Sequence, residues 1–137
     1  MDPVREFMQR YRDAFVRGDV DGLLDFYGFP MQLVGTGPAV PAVSVVGEED
    51  WQATVRSLVR AYRRLRVSPA STGEFSITRP VPDVASVQAH WALRGPQDEP
   101  IYDFTALYTV VDAENGLRIV AIVHDELPKI TAALKAL

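Results

Sequence analysis

The stretch FMQRYRDAFVRGDVDGLLDFYGFP, residues 7–30, limits most strongly what this chain can fold into. Val4, Phe7, Met8, Tyr11 and Phe15 recur at helical spacing, so one stripe of a first helix faces a core. Gly18 can adopt the left-handed conformation that ends a helix, and Asp19 can cap the next one. Val20, Leu23, Leu24 and Tyr27 then supply a second, shorter stripe. Pro30 marks the launch of a strand. The order helix, one-residue stop, helix, strand is thus set within the first quarter of the chain.

MQLVG (31–35) reads as a short strand. The glycines and prolines of GTGPAVPAV then break regular structure, with Val43, Val45 and Val46 able to pair back as a small hairpin. Glycines 35 and 37 have a superficial likeness to a nucleotide loop. The third glycine is missing, and Pro38 and Pro41 prevent a helix from opening there. From Glu48 to about Leu65 the pattern predicts a third helix with Trp51, Val55, Leu58, Tyr62 and Leu65 on its buried stripe. Glu49 and Asp50 near its start, and Arg63, Arg64 and Arg66 at its end, complement the helix dipole.

The period then changes from that of helices to that of strands. Residues 67–80 read as a strand. In 84–95, Val87, Ala89, Trp91 and Leu93 share one face. In 101–112, Tyr102, Phe104, Ala106, Tyr108 and Val110 share one face. Asn115–Gly116 signals a hairpin turn into a last strand over 117–127. By alternation Ile119, Ala121, Val123 and Asp125 share its inward face, and His124 points out. Pro128 can open a short final helix carrying Ile130, Leu134 and Leu137. Helices first and consecutive antiparallel strands after make an α+β layout, a curved sheet wrapped over helices.

The 137 residues suit one domain, residues 1–137. The net charge of −4 argues against a nucleic-acid partner, which needs a clustered positive field. With no cysteine, disulfides, thiolate nucleophiles and cysteine metal sites are excluded. No apolar run reaches the ~20 residues that span a bilayer. Asp2 and Glu6 sit where a signal peptide would carry positive charge. The expectation is a cytoplasmic protein without a membrane partner.

This order of elements resembles the nuclear-transport-factor-2-like superfamily, which includes ketosteroid isomerases and SnoaL-like polyketide cyclases. The most specific pieces are QRYRDAFVRGDVDGL (9–23) and NGLRIVAIVHDEL (115–127). The resemblance implies a cone-shaped α+β fold: N-terminal helices on a strongly curved, mainly antiparallel sheet, with a short C-terminal helix. It also implies an apolar pocket for a small apolar ligand and a homodimer formed through the sheet. Fold alone does not give the reaction. Tyr11 matches the oxyanion-binding tyrosine of ketosteroid isomerases. The positions of their base and second oxyanion donor hold Gly35 and Ala106, so the same proton shuttle is not expected. The resemblance to the cyclases points to Asp125, near the end of the last strand.

The candidate catalytic pair is therefore Asp125 as acid/base and Tyr11 as oxyanion donor, with no cofactor and no metal. Phe15, Phe26, Tyr62, Trp91, Phe104 and Tyr108 are the candidate substrate-binding residues. Each has a plainer reading. Tyr11 can be a core tyrosine with a local hydrogen-bond partner. Asp125 can cap the final helix or sit in water. The aromatic set can fill a solid core. His90 and His124 suit the outer sheet surface or a dimer contact, and their spacing does not suit a metal. Arg56, Arg60 and Arg63 lie opposite their helix's apolar stripe and read as a solvated face, the other reading being an anionic partner such as a nucleic acid or an acyl-carrier protein. The functional expectations are a cofactor-independent cyclase- or isomerase-type enzyme, a noncatalytic small-molecule binder, or a dimeric association domain.

Overall fold

The structure, a computed structural model, describes residues 2–35 and 42–137. The chain runs α1 (Pro3–Arg17), α2 (Val20–Leu24), β1 (Tyr27–Gly35), β2 (Ala42–Val46), α3 (Glu48–Leu65), β3 (Thr72–Val81), β4 (Val84–Arg94), β5 (Pro100–Ala113), β6 (Gly116–His124) and α4 (Glu126–Lys135). Most of the glycine- and proline-rich stretch, including Pro38 and Pro41, lies outside the described residues.

The opening forms as its residues dictate. Asp2 caps α1 by accepting from the Val4 N–H at 3.0 Å, and Pro3 fills the first turn, where no donor is needed. Gly18 ends α1 at φ +67, and the Asp19 carboxylate accepts from the Gly22 N–H at 3.0 Å to start α2. Val4, Phe7, Met8, Tyr11 and Phe15 are all buried. Pro30 sits inside β1 rather than at its start. A register irregularity between Tyr27 and Gln32 interrupts the β1–β6 ladder there, where proline's missing donor costs least.

Among the described residues six strands form one sheet in the order β2-β1-β6-β5-β4-β3. β1 and β6 run parallel; every other neighbouring pair is antiparallel. Val43, Val45 and Val46 do pair back onto β1. The fold is α+β, with the helices covering one face. Ala85, Val87, Ala89, Trp91 and Leu93 of β4 and Phe104, Ala106, Tyr108 and Val110 of β5 are buried beneath them. Register shifts between β3 and β4, between β4 and β5, and between β5 and β6 bend the strands and let the sheet curl. On α3 the buried stripe is Trp51, Val55, Val59, Tyr62 and Leu65, with Leu58 half-buried beside it.

Three expectations need correction. β3 begins at Thr72; residues 67–71 form a turn that is tied to β4 by the Ser68 N–H donating to the Arg94 carbonyl at 2.7 Å. Helix α4 begins at Glu126, before Pro128. The face of β6 is the third. Thr109 pairs with Ala121 but Val110 pairs with Ile119, so Val120 is an extra residue in the ladder. This bulge reverses the alternation halfway along the strand. Ile119 and Ile122 are both buried, and the inward face then continues to His124. Ala121, Val123 and Asp125 are displaced from it.

Candidate functional site

Between α3, α4 and the inner face of the sheet lies a cavity of about 180 Å³. Its wall is mainly apolar, with Leu23, Val55, Ile122 and Ile130 among its members. Thr54 on α3 and Leu127 on α4 line it and also face solvent, which marks where it opens. Ala106, at a position where the resembled isomerases carry an acid, is part of the wall and cannot titrate.

The titratable group in the wall with the largest consequence is Glu126. It is the first residue of α4 and is 6 % exposed. Its Oε2 accepts hydrogen bonds from the hydroxyls of Tyr62 and of Tyr102, the latter at 2.6 Å. Burial raises the carboxyl from its ordinary value of 4.5 to about 7; the two tyrosine hydrogen bonds act the other way and do not cancel it. Desolvation pushes the hydroxyls of Tyr62 and Tyr102 far up, and the neighbouring Glu126 adds to it, so both stay neutral donors. Oε1 has no hydrogen-bond partner among the described residues.

His124 lies beside it in the wall. Its Nδ1 accepts the Glu126 backbone N–H at 3.2 Å. Burial lowers its proton affinity, against a smaller opposing pull from Asp125. A neutral imidazole accepting at Nδ1 carries its proton on Nε2.

A second polar group is a chain of aromatic side chains at the far wall. The Tyr11 and Tyr27 hydroxyls share a 2.8 Å hydrogen bond. The Trp91 indole N–H donates to the Tyr108 hydroxyl at 3.1 Å. Burial raises Tyr11 well above its ordinary value and Tyr27 to about 12, so neither ionises near neutral pH.

Of the residues named from sequence, Tyr11, Phe15, Tyr62, Phe104 and Tyr108 come together around this cavity. Phe26 does not; it packs edge-on against Phe7, with ring centroids 5.2 Å apart. Trp91 is fully buried behind the wall, stacked 6.0 Å from Phe104. Asp125 lies outside as well, displaced by the β6 bulge. Its side chain is 41 % exposed, accepts from the Thr105 N–H at 2.9 Å and pairs with Lys129 at 3.4 Å. It holds the N-cap position of α4 without making a capping hydrogen bond. His90, on the outer face, contacts Asp103 at 3.2 Å. Sequence reasoning missed Glu126, His124 and Trp51 as site residues. The usable signal was the acid immediately after Asp125, since one shift of register exchanges them. Among the described residues no three histidine or acidic side chains come together as a metal would need. No described helix is long and apolar enough to cross a membrane.

The fold and cavity define a class: a curved sheet closed by helices around an apolar interior with one buried acid, Glu126, among the described residues. Comparison with known proteins gives the family. The family described as "NTF2-like protein (DUF6841)" matches residues 2–127, and the chain belongs to it. Among curated proteins, none matches the chain. An NTF2-like protein of unknown function from Shewanella oneidensis superposes with a TM-score of 0.67 at 15% identity, covering 89% of this chain and 95% of that one. A domain of unknown function with a cystatin-like fold from Nostoc punctiforme gives 0.67 at 16% identity, over 98% and 84%. A ketosteroid isomerase-like protein from Erwinia carotovora atroseptica gives 0.64 at 16% identity, over 88% and 91%. At such identities the likeness concerns the fold.

Proposed function

We propose that this protein holds a small, largely apolar molecule in its cavity and that Glu126 acts on it as an acid–base group. The cavity's 180 Å³ sets the size of the ligand. An apolar cavity of about 150 Å³ is enough for benzene, so one ring or a compact pair of rings suits this one. The observation that carries the reading is Glu126: a carboxyl in an apolar wall, raised to about 7, whose Oε1 makes no hydrogen bond among the described residues. A group of that proton affinity is present in both forms near neutral pH, as a general acid–base needs. In the forward step a C–H bond beside a carbonyl breaks. Its proton passes to Oε1 and its electron pair moves into the carbonyl. The reverse transfer returns a proton to carbon. Asp125, turned to solvent, takes no part.

The test is solvent deuterium incorporation beside the carbonyl of indan-1-one, followed by proton NMR. The wild type should accelerate it over buffer. Glu126→Gln should lose about 10²–10⁴-fold of that rate. Asp125→Asn should keep most of it. Exchange at the buffer rate would remove the acid–base role; saturable binding without exchange would leave a noncatalytic binding protein.

We also propose that two copies associate through the outer face of the sheet. Leu107 is 41 % exposed there, across the β4–β5 ladder from Gln88 and near the His90–Asp103 pair.

A further inference from the structure

The indole N–H of Trp51 is the one buried side-chain polar atom without a hydrogen-bond partner among the described residues. Trp51 stands in the first turn of α3, is 7 % exposed and lines the cavity. Its surroundings make the orphan conspicuous. Tyr11 is paired with Tyr27, Tyr62 and Tyr102 with Glu126, and Tyr108 with Trp91. Trp91 carries the same indole group and has an acceptor within hydrogen-bond geometry; among the described residues Trp51 has only the nearby Tyr27 hydroxyl, outside that geometry. The Trp51 N–H lies close enough to Tyr27 to favour negative charge on that hydroxyl, yet it does not meet hydrogen-bond geometry with it. A buried donor left unpaired is costly, and native structures nearly always satisfy it.

We propose that the Trp51 indole N–H is the donor that orients the ligand, and that the ligand presents a neutral acceptor oxygen to it, a ketone or aldehyde carbonyl. This rests on the cavity reading above and assigns the donor that holds the ligand's carbonyl. An indole N–H only donates, so the group meeting it must accept. A hydrocarbon leaves it unpaired. An anion would lose its hydration for a single neutral donor in an apolar wall, with the Glu126 carboxyl in the same cavity. A cation has no lone pair to offer. A neutral carbonyl satisfies the donor at little desolvation cost.

The probes are indan-1-one and indane, which share a skeleton and differ in the carbonyl. The readout is the ratio of their dissociation constants in wild type and in Trp51→Phe. Extra space left by the smaller ring affects both probes alike and cancels in the ratio. We expect the relative preference for the ketone to fall about two- to tenfold in Trp51→Phe, the size of one neutral hydrogen bond. In the wild type, the assigned Trp51 indole proton resonance should move downfield with indan-1-one and not with indane. The Trp91 resonance, already hydrogen-bonded, should stay in place. That spectrum decides the matter if Trp51→Phe does not fold. Binding of both probes with an unchanged ratio, or with no selective shift of the Trp51 proton, overturns the inference and leaves the cavity reading intact. Failure of the wild type to bind either probe overturns the cavity reading, and this inference with it.

Discussion

Glu126 makes a stability prediction whose sign and size follow from its position. Burial raises its proton affinity in the folded state above that in the unfolded chain. The folded state therefore keeps the proton to higher pH. The group's contribution is fully present below about pH 4.5, declines as pH rises, and is lost above about pH 7. A rise from 4.5 to about 7, at about 1.4 kcal/mol per unit, corresponds to about 3 kcal/mol. Glu126→Gln keeps the shape and an acceptor for Tyr62 and Tyr102 but cannot ionise. Urea unfolding of both proteins from pH 4.5 to pH 8 isolates this group, because the other titrating residues cancel in the difference. The two should be close in stability at the acid end. Glu126→Gln should then gain steadily on the wild type as pH rises from about 4.5 to about 7, reaching about 3 kcal/mol and levelling off above that. A difference that stays flat over that range would refute the argument, since it would mean that the carboxyl is solvated and titrates alike in both states.

Other consequences can be checked separately. Tyr62→Phe removes a donor that favours the carboxylate, so the Glu126 midpoint should move above about 7 in a carbon-13 NMR titration. Gly18→Ala places a side chain at φ +67, with its Cβ 3.2 Å from the Val59 Cγ1; it should cost about 1 kcal/mol or more in chemical denaturation. Leu107→Lys, on the outer face of β5, should shift a dimer toward monomer in sedimentation equilibrium while leaving probe binding unchanged.

The legible parts of the sequence were those where one local rule acted alone. The α1 stripe, the Gly18 stop and the Asp19 cap all formed as their residues require. The alternation of β4 and β5 held because their central ladder is uninterrupted from Val84 to Leu93. β6 did not obey the same rule. One extra residue at Val120 reverses which side chains point inward, and nothing in LRIVAIVHDEL distinguishes a bulged register from a regular one. That single residue moved the candidate acid from Asp125 to Glu126 and turned His124 toward the cavity. Trp51 was legible as buried but not as a site residue. A stripe such as Trp51, Val55 and Tyr62 has the same spacing whether it meets side chains or empty space. Only the packing of α3 over the sheet reveals which.

The central claim is that this interior is a binding site with Glu126 in its wall, and a crystal structure of the protein soaked with indan-1-one tests it most directly. We expect the ketone inside the cavity between α3 and α4, with Glu126 Oε1 against it and Asp125 turned to solvent. A cavity filled by the protein's own side chains, or the ketone only on the outer surface, would contradict it.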